Sequence, residues 1–117
     1  MLKRIYSGTY NLGSLDLAPQ AVVNVSVAKL RYVYGINFEE GTDDLDDFKV
    51  AYYTLDDQVV ALMHHTGEPA SAVSVYLDRG LRPGRVQKMV AKMTKGLGID
   101  QTLVGWIETH VLRGANN

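Results

Sequence analysis

The sequence predicts an α+β domain: a three-stranded antiparallel meander with an N-terminal helix and two C-terminal helices packed on one face. Three observations lead there. Across residues 48–77, apolar and polar side chains alternate with a period of two, interrupted by clusters of turn formers. From residue 86 the apolar spacing lengthens to the pattern of a helix, and a second such stripe follows Asp100. Residues 16–35 carry the start and stop signals of a further helix.

In chain order, residues 2–10 contain tyrosine and threonine, run into Asn11, Leu12 and Gly13, and read as an extended segment or strand. Residues 21–34 carry two signals. Val23, Val25 and Val27 alternate as a strand would, but Lys29 and Arg31 then fall on that same face. As a helix, the stretch has Asp16 as N-cap, Pro19 in its first turn, Gly35 as its stop, and Val23, Val27, Leu30 and Tyr34 along one side. The helix accounts for more of these residues, and the strand stays open as its alternative. Phe48, Val50 and Tyr52 next alternate with Lys49 and Ala51 as far as Asp56 and Asp57, which form a tight turn. Residues 59–64 return as the second strand of a hairpin. Thr66, Gly67, Glu68 and Pro69 turn the chain again, and residues 72–77 give the third strand, with Val73, Val75 and Leu77 on one face. The following helix sets Val86, Met89, Val90, Met93 and Leu97 on one side and Arg85, Lys88, Lys92 and Lys95 on the other. Gly96 and Gly98 end it. Asp100 then caps a second C-terminal helix with the stripe Leu103, Val104, Ile107, Val111 and Leu112.

With 117 residues, 46% of them hydrophobic and 21% charged, the chain fits one globular domain over residues 1–117 and is unlike disordered, collagen-like or low-complexity sequences. No stretch reaches the roughly 18 apolar residues of a membrane span, and the first residues lack the apolar run of a signal peptide. Cysteine is absent, in keeping with a cytoplasmic location. The net charge of −1 conceals a segregated distribution: +3 over residues 1–35, −7 over 36–60 and +3 over 61–117. Glu39, Glu40, Asp43, Asp44, Asp46 and Asp47 crowd into nine positions, whereas Arg79, Arg82, Arg85, Lys88, Lys92 and Lys95 follow one another with no acid between them.

His64 and His65 are neighbours on a strand and so point to opposite faces, which keeps them from sharing one ion, and no metal or cofactor site is expected. The run from Gly41 to Asp47 lacks the oxygen spacing, glycine and terminal glutamate of a calcium loop. Ser71 and Ser74 lie near the histidines, but there is no Gly-x-Ser-x-Gly elbow, so no catalytic residue is assigned. The expected function is a noncatalytic protein-binding domain of the inhibitor, immunity or antitoxin type. Its contact surface is Glu39, Glu40, Asp43, Asp44, Asp46 and Asp47 with Tyr52 and Tyr53, and its partner is a basic protein. The alternative is nucleic-acid binding through Arg82, Arg85, Lys88, Lys92 and Lys95. A small hydrolase using His64 or His65 with nearby carboxylates ranks third.

A local resemblance bears on the alternative. Leu97, Gly98 and Ile99, followed by Gln101, Val104, Ile107 and Glu108, resemble the turn and second helix of Cro-repressor-type helix-turn-helix proteins, which implies a DNA-reading helix at that point. The family's first-helix alanine lies four residues before the turn glycine, whereas Ala91 lies seven before Gly98. Trp106 stands where the family carries small polar or basic side chains, and no lysine or arginine precedes Arg113 in that helix.

Overall fold

β-Branched and aromatic side chains pack well on a pleated surface and lose rotamer freedom in a helix, and they decide more of this backbone than their helical spacing does. The computed structural model describes residues 1–8, 15–42 and 46–107. The strands are β1 (Leu2–Ile5), β2 (Leu17–Val23), β3 (Glu39–Thr42), β4 (Asp47–Leu55), β5 (Gln58–His65), β6 (Val73–Asp78) and β7 (Val104–Ile107). Two α-helices accompany them, α1 (Val27–Tyr32) and α2 (Pro83–Leu97). All seven strands join one antiparallel sheet in the order β1-β4-β5-β6-β2-β7, with β3 also paired to β4.

This architecture overturns the expected three-stranded meander with three helices. β4, β5 and β6 occupy the three anticipated strand positions but are the centre of a larger sheet, and α2 is the one long helix among the described residues. The N-terminal helix shrinks to α1, because Leu17–Val23 is a strand. Pro19 is tolerated there because β7 reaches only Ala21–Val23, and the pairing with β6 shifts register just after the proline. The true helix start is Ser26, whose side chain accepts the Lys29 amide at 3.0 Å. Asp16 instead pairs with Arg79 at 3.0 Å.

The second C-terminal helix is likewise replaced over its first part. Asp100 accepts the Thr102 amide at 2.8 Å, but it caps only a 3-10 turn, Gln101–Leu103, and the chain then runs extended as β7. Gly105 fits this path for a local reason: a Cβ there would fall 2.2 Å from the Asn24 side chain. An extended Val104–Ile107 removes the second helix on which the helix-turn-helix resemblance depends. Glu108, Val111, Leu112 and Arg113 lie outside the described residues.

Register explains the core. Ala51, Leu62, Val75, Ala21 and Ile107 form one row across β4, β5, β6, β2 and β7. Over this face lies α2, burying Val86, Met89, Val90 and Met93, as its spacing requires. Leu30 of α1 and Ile36 join the same cluster. On the opposite face a second row runs Ile5, Tyr52, Ala61, Tyr76 and Pro19, and Ala61 is fully buried there. Burial of both faces accounts for the unbroken apolar run Val59–Met63 in β5, because a strand covered on two sides has no polar face to alternate with. Among the described residues, no helix is long and apolar enough to cross a membrane.

Candidate functional site

The acidic residues flank β3, Glu39 where the sheet edge changes strands and Asp46 and Asp47 at the other end. β1 and β3 lie end to end along the same edge of β4. At their junction the Ser7 amide and hydroxyl both donate to the Glu39 carboxylate, at 3.1 and 2.5 Å. In the β3–β4 hairpin, Gly41 lies under the Phe48 ring so closely that a Cβ would fall 2.5 Å from it, which fixes the hairpin against its own aromatic. Thr42 donates to Asp47 at 3.0 Å, and the Gly67 amide donates to Asp46 at 3.1 Å. These donors are neutral, so the bonds orient the carboxylates and supply no counter-charge of their own. Glu40 differs: the Lys49 ammonium at 2.6 Å, with Arg31 adding to it, holds its carboxyl below the usual carboxylate range. Glu40, Thr42, Asp47, Lys49, His64 and Thr66 line a shallow cleft of about 550 Å³.

Glu40 and Asp47 line that cleft and Asp46 precedes Asp47, Glu39 sits at the other end of the β3–β4 ladder beside Ser7, and Asp43 and Asp44 lie outside the described residues. The tyrosines divide. Tyr53 is 6% exposed, its ring 5.5 Å from the Arg4 guanidinium, and belongs to the core and not to a contact surface. Tyr52 sits half-buried on the opposite face, where burial and the nearby Glu39 charge both push its phenol pKa up. Ser7, Thr42 and Gly67, which position the acids, carried no signal that separated them from ordinary turn residues.

His64 and His65 do point to opposite faces, opposite Lys49 and Phe48 in the register. His64 Nε2 lies 3.1 Å from the Pro69 carbonyl oxygen. Glu68 was not singled out in the sequence, yet it accepts the His65 amide at 2.7 Å, lies 3.3 Å from His65 Nδ1 and accepts the Ser74 hydroxyl at 3.4 Å. A serine nucleophile needs the imidazole between its hydroxyl and the carboxylate, so that the ring can take the proton. Here the carboxylate is in the middle, and buried Ser74 donates to it. This order ties the β5–β6 turn together and differs from that of a serine nucleophile activated by an imidazole. Among the described residues, no group of three or more histidine or acidic side chains is arranged to hold a metal ion.

The basic residues take a separate surface. Arg85, Lys88, Lys92 and Lys95 are exposed along α2, and Arg82 is exposed at its N-cap. Lys92 bonds Asp56 at 2.6 Å, which depresses the Asp56 carboxyl. That contact anchors α2 at the β4–β5 turn, whereas Asp47 opens β4 at its other end, about 26 Å away along the strand. Opposite charges thus occupy separate regions and do not neutralise each other as one network. Comparison with known protein families, with curated proteins and with solved structures finds no match for this chain.

Proposed function

We propose that this protein is a noncatalytic domain that binds a basic protein through the acidic β3–β4 hairpin, with Asp46 and Asp47 at one end of the β3–β4 ladder, Glu39 at the other, and Asp43 and Asp44 continuing Asp46 and Asp47 in sequence. One observation carries the reading: neutral hydrogen-bond donors, which supply no counter-charge, orient these carboxylates. Fixed charges lose little conformational entropy on contact, and a concentrated field speeds encounter with an oppositely charged partner. The inhibitor, immunity or antitoxin type is the class of protein that such a surface suits.

The test begins with capture of a partner on the immobilised protein and continues with association kinetics of that purified pair. Changing Asp43, Asp44, Asp46 and Asp47 together to asparagine keeps a carbonyl acceptor for Thr42 and Gly67 but removes four charges. Association should slow about tenfold or more at low salt and lose most of its salt dependence, with a smaller change in dissociation. An unaltered association rate rejects the acidic end as the contact.

A further inference from the structure

The outer face of α2 has a composition of its own. Its exposed positions are Gly84, Arg85, Gln87, Lys88, Ala91, Lys92, Lys95 and Gly96: cations, small residues and one glutamine. No acid lies anywhere on the helix. At 100° per residue, Arg85, Lys88, Lys92 and Lys95 fall within a sector of about 80° and span about 15 Å of helix axis. Lys92 is paired with Asp56, but Arg85, Lys88 and Lys95 have no ion-pair partner among the described residues. Small residues between the cations let a bulky ligand approach the helix backbone.

We propose that this face of α2 is a second binding site, separate from the acidic end, which takes the phosphate backbone of a nucleic-acid duplex without reading its sequence. A straight row of cations about 15 Å long can lie against the backbone of a duplex, whose two strands together carry one charge per about 1.7 Å of axis. A membrane surface fits less well, because an interfacial helix must insert its apolar face, and that face of α2 is committed to the core through Val86, Met89, Val90 and Met93. A protein surface fits less well too, since the row offers no aromatic or large apolar anchor among its exposed residues. The mode is backbone contact alone. It owes nothing to a recognition helix, and β7 stands where that helix was expected.

The experiment is fluorescence anisotropy with a labelled 20-base-pair duplex of arbitrary sequence and the full chain. Binding should be measurable at 50 mM salt and fall about fortyfold by 200 mM, with a log–log slope near −2.7 for the three unpaired cations. Arg85→Gln, Lys88→Gln and Lys95→Gln should each reduce the slope by about one unit, and an unrelated scrambled duplex should bind equally well. Asp56→Asn, which frees Lys92, should tighten binding and steepen the slope. Lys29→Gln on α1 should change neither. Absence of binding at 50 mM salt overturns the proposal, and so does binding that survives the Arg85, Lys88 and Lys95 triple change. Preference for phosphatidylserine vesicles over the duplex also overturns it. The asparagine variant of the acidic end should keep full duplex affinity, so failure here and failure of the protein contact are read separately.

Discussion

Asp56 and Asp57 both adopt left-handed backbone, with φ of 51° and 66°, which is what a two-residue hairpin loop between twisted strands demands of its central pair. Aspartate enters this region at a cost that glycine avoids. Asp57→Gly should therefore stabilise the protein by about 0.5–1 kcal/mol, read as a higher urea midpoint at unchanged slope. Asp56 is different, because its carboxylate bonds Lys92 and lies 3.6 Å from the N-terminal amine. Its folded pKa is depressed, chiefly by the Lys92 hydrogen bond. The stability it adds is present above the ordinary carboxylate pKa of about 4 and is lost as pH falls through the depressed value. Glu40 and Asp100 are shifted in the same direction, by Lys49 and by Thr102 respectively. Thermal midpoints should accordingly decline below about pH 4, and Asp56→Asn should start lower at neutral pH and decline less steeply. An acid limb identical to that of the wild type would contradict the role given to Asp56.

Among the elements, the packing of β5 invites the sharpest test. Ala61 is fully buried on the face away from α2, directly opposite Tyr52 on one side and Tyr76 on the other. A small residue between two large rings leaves no volume for more, so Ala61→Leu should cost about 1–3 kcal/mol in chemical denaturation, although leucine is the better core former on hydropathy alone. The same elements show which parts of the fold were legible. α2 was readable because its apolar and basic positions repeat without conflict, and β4, β5 and β6 because turn residues bound each run. Residues 17–32 were not, because Val23, Val27 and Leu30 satisfy a helical stripe by coincidence: Val23 ends a strand, and the other two belong to a six-residue helix. Caps misled for a related reason. Asp16 and Asp100 have the chemistry of an N-cap, but the first forms an ion pair and the second closes a single 3-10 turn. At the candidate site, charge clustering was visible in the sequence, but the exclusion of Tyr53 depends on strand register, and so does the meeting of Ser74, Glu68 and His65.

At the scale of the molecule, charge is sorted along β4: acids at the Asp47 end, the α2 cations tethered near the Leu55 end. Charge segregated in this way favours approach to charged partners in a preferred orientation. The way β1 and β3 share one edge of β4 also governs the order in which the fold assembles. β4, β5 and β6 are joined by short turns and pair with immediate neighbours, so they close small loops and form early. β1 precedes the other described strands yet has no partner until β4 exists, and β2 must wait for both β6 and β7. Pulsed hydrogen exchange during refolding should thus protect the amides of Val60 and Leu62 before those of Lys3, Ala21 and Val22; simultaneous protection would exclude this sequence of events. Until the last strands dock, β6 and the β3–β4 edge expose unpaired backbone, a template onto which a second partly folded chain can pair. Refolding yield should fall with protein concentration, because the edges of β4 and β6 that β1 and β2 later cover are exposed in the interval before those strands dock.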